Sequence, residues 1–263
     1  MIHYDSAFFK SQREISMRSA RAMLPLVQQI VKPNSVVDIG CGVGPWLAVW
    51  DELGVTDYGG YDGDYVDRSM LYISKDKFHQ ADISKPLQHN RKYDLAMTLE
   101  VGEHLPEDKA DLFVENLVGF SDVVLFSAAI PGQGGTAHIN EQWPIYWVEK
   151  FKNNGYEVID CLRQPAWNDE KIAYYYRQNI FLFVKKELIS IRPDYETLYE
   201  KYGNSYLSLV HPETLTYMVE YIERSTRVNE MNKNDVVYLW RLFKKAFAIK
   251  IKEKLGLTSK KHS

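Results

Sequence analysis

Val36-Val37-Asp38-Ile39-Gly40-Cys41-Gly42-Val43-Gly44 decides how the rest of the chain is read. Val36 to Ile39 are apolar and β-branched apart from one aspartate, which predicts a buried strand. The glycines that follow let the backbone turn tightly and lie close against a ligand. Trp46, Leu47, Val49, Trp50 and Leu53 then recur at helical spacing. A strand, a glycine turn and a helix N-terminus make a crevice of nucleotide size. The dinucleotide fingerprint needs its third glycine at position 45. That position is Pro45, and the third glycine is Gly44.

The pattern repeats outward. Asp57–Asp62 reads as a second strand, and Asp62 falls about 20 residues past the glycines, where such folds hold ribose hydroxyls. A carboxylate accepts two hydrogen bonds, which suits a diol. Asp62 with Gly63 is the first choice, and Asp64 the second; an aspartate serving only its own Asp-Gly turn is the structural alternative. Further strands are expected over 78–83, 93–99, 122–128, 156–162 and 179–185. Helices are expected from Ser11 to Val31, with a kink or break at Pro25, from about Pro106, and from Trp143 to Gly155. The alternation predicts an α/β fold with a doubly wound, mostly parallel seven-stranded sheet.

The glycine run with Asp38 two places before it, and the Glu100-Val101-Gly102-Glu103-His104-Leu105-Pro106 run after the fourth strand, resemble motifs of class I S-adenosylmethionine-dependent methyltransferases. The resemblance spans Tyr4 to about Lys185. It implies a Rossmann-like fold whose seventh strand is antiparallel, and S-adenosyl-L-methionine as cofactor. It places Asp38, Gly40, Cys41, Gly42 and Gly44 around the methionine and ribose portion. Asp82 would meet the adenine amino group and the Ile83 amide a ring nitrogen. Glu100 and Val101 would line the cofactor and the methyl site. An N-terminal segment with Tyr4, Phe8, Gln12 and Arg18 would fold over the cofactor, Arg18 meeting its carboxylate. The Ile130-Pro131-Gly132-Gln133-Gly134-Gly135 and His138-Ile139-Asn140-Glu141-Gln142-Trp143-Pro144 elements are similar to a bacterial subgroup associated with glycan or secondary-metabolite assembly.

A sulfonium methyl is already electrophilic, so the enzyme aligns a nucleophile and, for a hydroxyl, removes its proton. Of seven histidines, His104 and His138 fall in loops beyond strand ends. His138 is the candidate base, with Glu141 or Asn140 orienting it; fixing its own glycine-rich loop is the alternative role. His104 is expected to tie its turn together. Glu100 is expected to contact cofactor or substrate, or to cap a helix. Gln142 and Trp143 are candidates for the acceptor pocket. The spacing shows no tight His/Asp ligand set, so no metal is expected.

Composition narrows the rest. The chain has 263 residues, 45% hydrophobic and 25% charged, enough for one large domain and an appendage. A net charge of -3 gives no basic footprint for nucleic acid. Two cysteines, Cys41 and Cys161, are too few for a disulfide framework, which with the absence of a signal-peptide pattern points to the cytoplasm. No apolar run is long enough to span a bilayer. The expected division is 1–186 for the methyltransferase domain and 187–263 for a helical extension. Helical segments are expected over 194–202, 212–224 and 234–255, the last with a Val236, Trp240, Phe243, Phe247 stripe. Basic residues from Arg241 to Lys261, against the single acid Glu253, suggest peripheral membrane contact.

The expected reaction is O-methylation of a sugar or glycan-precursor hydroxyl. Methylation of a carboxylate, phosphate or amine is the alternative within the class. Outside it stand a nicotinamide-dependent sugar oxidoreductase, disfavoured by Pro45 and Asp38, and a membrane-surface assembly protein, supported only by the basic C-terminal stretch.

Overall fold

The computed structural model describes residues 6–224, with side chains from Glu14 onward. Tyr4, the side chains of Phe8 and Gln12, and the expected 234–255 helix with its basic residues lie outside the described residues. Met1–Thr214 forms one compact unit and Leu215–Ser263 a second.

In the first unit, β1 (Ser35–Ile39), β2 (Asp57–Asp62), β3 (Phe78–Gln80), β4 (Leu95–Leu99), β5 (Val123–Ser127), β6 (Tyr156–Ile159) and β7 (Phe181–Lys185) form one sheet in the order β3-β2-β1-β4-β5-β7-β6. β7 runs antiparallel to both β5 and β6, and the other neighbours are parallel. The chain reverses its direction of winding between β1 and β4, which opens a crevice at their carboxyl ends.

Strand alternation sorts the core into two layers. Val36, Leu95, Met97 and Leu125 pack with α1 (Ser6–Val31) and α2 (Pro45–Glu52). Val37, Ala96, Val124 and Phe126 pack on the other face with α3 (Ala110–Phe120) and α4 (Pro144–Asn153). Phe151 stacks on Phe183 with ring centroids 3.8 Å apart, fixing α4 against β7. Burying one such large side chain contributes about 1.5–3 kcal/mol.

Pro25 does not break the first helix. α1 is a single helix through it, because Ala20, Met23, Leu24, Val27 and Val31, on both sides of the proline, are buried in the same layer. Several strands are shorter than their apolar patterns. β3 stops at Gln80, and Asp82 instead accepts hydrogen bonds from Ser84 in a turn. β4 begins at Leu95 because the Tyr93 amide is drawn to the Phe120 carbonyl. β7 begins at Phe181, since Tyr174–Asn179 closes into a helix. Pro106 precedes a 3₁₀ turn, and α3 starts only at Ala110.

The remaining helices are α5 (Arg163–Ala166), α6 (Tyr174–Asn179), α7 (Lys186–Ile191) and α8 (Pro193–Tyr202). Arg163, 1% exposed, forms a two-pronged ion pair with Asp160 at 2.8 and 2.5 Å. Its other donors reach the carbonyls of Tyr206 and Leu207, each at 2.8 Å. The segment after α8 is thereby tied to the sheet. The expected division at 186/187 falls just inside α7, and the compact unit continues past it to Thr214. Residues 212–224 are helical. No helix among the described residues is long and apolar enough to cross a membrane.

Candidate active site

The glycine turn is clamped onto β2. The Gly40 and Cys41 amides donate to the Tyr61 carbonyl at 2.8 and 3.2 Å. Gly40 has φ 84°, and a Cβ there would lie 2.6 Å from Val101 Cγ2. The residue must therefore be glycine on two counts, conformation and space. Pro45 begins α2, where its missing N–H costs nothing. Asp38 is buried at the floor of the turn, and burial, then the nearby Asp62, push its carboxyl well above the ordinary range. Cys41 is buried too, its thiol pushed up by burial and then by Asp38 and Asp62.

Asp62 ends β2 and turns its carboxylate onto the same loop. It accepts from the Gly42 amide at 2.6 Å and the Gly63 amide at 2.7 Å. Its Oδ1 also accepts a hydrogen bond from the Tyr65 hydroxyl. The Tyr65 ring lies against Gly63, where a Cβ would come within 2.2 Å of its Cε1. A phenol thus occupies the acceptor that a ribose diol would need. Asp64 is exposed. At β3 the Ile83 side chain is buried, whereas Asp82 is exposed and pairs with Lys85 at 2.9 Å. Hydrogen bonds from Ser84 and Lys85 hold its carboxyl down at about 2. Asp82 borders a 410 Å³ groove shared with Tyr61, His79 and Leu87. Arg18 is exposed on α1, near Tyr175.

The turns after β4 and β5 meet across the crevice. Glu100 is held at φ 56°, left-handed for a residue with a Cβ. Such backbone costs of order 1–3 kcal/mol and tends to mark functional sites. Its amide is fixed by the Ser127 carbonyl at 3.0 Å and the Ser127 hydroxyl at 3.1 Å. Its carboxylate accepts from Gln133 Nε2 at 2.8 Å and Asn179 Nδ2 at 3.1 Å. Burial raises its pKa, and these amide donors oppose the rise. Gln178 extends the network: its carbonyl oxygen accepts from the His211 amide at 2.8 Å and the Thr214 hydroxyl at 2.7 Å.

The β5 loop folds around Glu141. Its carboxylate accepts from the amides of Gly132 at 2.7 Å and Gly134 at 2.8 Å. His138 Nδ1 meets the same group at 2.8 Å. Gly135 makes room for the imidazole, since a Cβ there would sit 2.2 Å from His138 Nε2. Nε2 faces Glu103 at 3.9 Å. His104 stands edge-on to His138 with centroids 4.9 Å apart, and burial lowers its pKa, with His138 second. The Ile139 and Asn140 amides bond the Glu103 carbonyl at 2.9 and 3.0 Å, locking the two turns together. Gln142 Nε2 donates to Asn140 Oδ1 at 2.9 Å, and Trp143 is 41% exposed at the start of α4.

A family model described as a methyltransferase domain matches residues 9–115, from α1 through the glycine turn and β4 into α3. Over those residues the chain carries a methyltransferase domain. One solved structure agrees on the fold, and others are similar at a lower level. The sugar N-methyltransferase KedS8 from Streptoalloteichus sp ATCC 53650 is 14% identical with TM-score 0.51, covering 71% of this chain and 96% of its own. The methyltransferase domain of bacterial CtHen1-C is 21% identical with TM-score 0.46, covering 64% and 97%. Human N-acetylserotonin methyltransferase, solved with S-adenosylmethionine, is 14% identical with TM-score 0.47, covering 68% and 55%. No curated protein sequence is significantly similar to this chain.

In this methyltransferase domain Asp38 and Asp62 stand together beneath the glycine turn, Asp62 accepting from the Gly42 amide at 2.6 Å. Tyr65, Gln133, Gln178 and Asn179 were not singled out as site residues by sequence reasoning. Gln178-Asn179 carries one signal in retrospect: two amides placed immediately before an apolar strand, hence at its buried start. The three-residue offset of Tyr65 from Asp62 becomes meaningful only once the turn is known.

Proposed function

We propose that the chain transfers the methyl group of S-adenosylmethionine to a hydroxyl of a sugar or glycan precursor, in the reducing cytoplasm. The observation that carries this reading is His138. Its Nδ1 is engaged by Glu141 at 2.8 Å, and its Nε2 is aimed at the junction of the β4 and β5 turns. A carboxylate only accepts, so Nδ1 holds a proton, and in the neutral ring Nε2 carries the lone pair. That lone pair takes the hydroxyl proton while the oxygen attacks the methyl carbon. The cofactor, when bound, would supply the methyl group on a sulfonium that keeps the electron pair of the broken carbon–sulfur bond. A carboxylate or amine acceptor would not need such a base. Two buried free cysteines, Cys41 and Cys161, suit the compartment. The sugar N-methyltransferase among the fold neighbours is compatible with a sugar acceptor.

The test is a screen of sugars, nucleotide sugars and small acids with labelled cofactor, using wild type, His138→Ala and His138→Gln. For a hydroxyl acceptor both variants should lose about 10²–10⁴ in turnover, with S-adenosylhomocysteine affinity unchanged. Near-normal turnover in His138→Gln would move the acceptor to a carboxylate, phosphate or amine.

A further inference from the structure

Three buried amides form a chain from the segment after α8 to the crevice. Gln133, Gln178 and Asn179 are 3%, 1% and 2% exposed. The direction of the chain is set at its outer end. The His211 backbone N–H cannot turn round, and it donates to Gln178 Oε1 at 2.8 Å, as the Thr214 hydroxyl does at 2.7 Å. The Gln178 amino group must then point inward. It donates to Asn179 Oδ1 at 2.9 Å and to Gln133 Oε1 at 3.4 Å. With their oxygens taken, both neighbours turn their own amino groups to Glu100, at 3.1 Å from Asn179 and 2.8 Å from Gln133. Asn179 Nδ2 also donates to Gln133 Oε1 at 2.8 Å, which closes the chain. Each amide has one acceptor end and one donor end, so a flip at any of them would set oxygen against oxygen.

The outer end is built to stay in place. His211 and Thr214 are 5% and 0% exposed. His211 Nε2 meets the Trp167 carbonyl at 2.9 Å, its Nδ1 accepts from the Glu213 amide at 3.2 Å, and Glu213 pairs with Arg177 at 2.6 Å. What this fixes at the inner end is a carboxylate that no cation neutralises. Among the described residues no lysine or arginine forms an ion pair with Glu100, and its donors are neutral amides. Neutral donors favour the ionised form while leaving its net charge in place. Glu100 follows the last residue of β4, beside the opening between β1 and β4. A negative charge kept there attracts a bound cation, and more strongly in a buried site than in water.

We propose that Gln178 is a positioning residue: seated by His211 and Thr214, it aims the amides of Asn179 and Gln133 so that Glu100 keeps a negative charge for the sulfonium of the cofactor. The segment after α8 is then part of the site. The protein distinguishes S-adenosylmethionine, which carries that positive charge, from S-adenosylhomocysteine, which does not. The sulfonium part rests on the cofactor reading above. Burial raises the Glu100 pKa and the two amides oppose the rise, so releasing them raises it further. The other titratable groups that feel Glu100 are Glu103 and His138 on the turns after β4 and β5, and Tyr175 and Tyr176 on α6.

The experiment measures the affinities of S-adenosylmethionine and S-adenosylhomocysteine by calorimetry on the full chain, between about pH 4.5 and pH 8.5. The two ligands share every titratable group, so the ratio of their affinities reports the surroundings of the sulfonium. In wild type the preference for S-adenosylmethionine should grow about tenfold or more as pH rises. Gln178→Met should move the midpoint of that rise up by about 1–2 pH units, the equivalent of one hydrogen bond to a charged group. Gln133 lies in the β5 loop, so Gln133→Leu keeps the test open if Gln178→Met fails to fold, and it should shift the midpoint the same way. Glu213→Gln loosens the same segment without touching the amides; it should lower the urea midpoint and leave the pH profile where it was. In Glu100→Gln any remaining pH dependence belongs to His138 and Glu103, and adding Gln178→Met should not move it. With both ligands bound, a wild-type preference that does not change with pH overturns the proposal. So does an unmoved midpoint in Gln178→Met and Gln133→Leu, or an equal shift in Glu213→Gln. Binding of neither ligand overturns the cofactor reading, and this one with it.

Discussion

Tyr65→Phe is expected to tighten binding of the cofactor and its product. Asp62 offers its carboxylate to the Gly42 amide at 2.6 Å, the Gly63 amide at 2.7 Å and the Tyr65 hydroxyl. The two amides are backbone and remain whatever binds. The phenol does not, because a ribose diol needs the acceptor position it holds. Binding therefore breaks the Tyr65–Asp62 hydrogen bond, and its cost lowers the apparent affinity. A hydrogen bond to a charged group contributes about 1.5–3 kcal/mol net. Tyr65 is 78% exposed, so water replaces part of the lost bond. About 1 kcal/mol is left, or roughly fivefold in Kd. Burial, with Asp62 second, drives the phenol pKa up, so the hydroxyl stays protonated and the difference holds across neutral pH. Calorimetry with S-adenosylhomocysteine on wild type, Tyr65→Phe, Asp62→Ala and the double variant isolates the term. Asp62→Ala should weaken binding by about 1–3 kcal/mol and remove the effect of Tyr65→Phe. Equal or weaker affinity in Tyr65→Phe would refute the competition and make Tyr65 a group that helps hold the cofactor.

Asp38→Asn should stabilise the cofactor-free protein while weakening cofactor binding. The Asp38 carboxyl lies well above its usual 3.8 in the fold. Below that value both states are protonated and the substitution changes little. As pH rises towards and through the folded value, the unfolded chain ionises first and stability falls. Urea midpoints should accordingly diverge between pH 4.5 and pH 8, the variant being the more stable at the higher pH; a constant gap would contradict the assignment. Gly40→Ala should lower the melting temperature, since a Cβ at φ 84° costs about 1–2 kcal/mol and meets Val101 at 2.6 Å. Adding Val101→Ala should restore only the contact part of that loss, as thermal unfolding of the pair will show. Asn179→Ala removes a donor from buried Glu100; chemical denaturation should register a loss of about 1–3 kcal/mol, larger at alkaline pH, where the carboxylate is ionised, than at acid pH.

The sheet was legible because its signals are local. Each strand is a short apolar run of fixed period, and each turn at a carboxyl end is marked by glycine or an acid. The ends were misjudged where a neighbour captured the backbone, as the Phe120 carbonyl captures the Tyr93 amide. α1 was misjudged for a related reason. A proline rule describes one residue, while the buried stripe from Ala20 to Val31 belongs to the whole helix. The glycine turn, Asp62 and the pairing of His138 with Glu141 involve residues near in sequence or tied to a known topology. The approach of Glu103 to His138 is different. It depends on two loops closing across adjacent strands, and no spacing along the chain encodes it.

The cluster of departures from ordinary protein rules bears on what those loops are for. Glu100 and Ala137 hold left-handed backbone without being glycine, Asp38 and Glu103 bury carboxyl groups, and Glu103 buries both oxygens unpartnered. All of these except Asp38 lie in the turns after β4 and β5. A fold satisfied by packing alone would replace each with a residue that suits its place. Asn179, Gln133 and Ser127 meet the needs of Glu100 from within the protein. Among the described residues none completes a hydrogen bond to the Glu103 carboxylate. A residue whose cost is offset internally serves by being rigid, whereas one whose cost is left standing serves by what it binds. Glu103→Gln should accordingly stabilise the protein, and by more at pH 8 than at pH 4.5, because burial holds the Glu103 carboxyl well above its usual range. A gap that does not change with pH in urea denaturation would mean that the protein already satisfies the carboxylate.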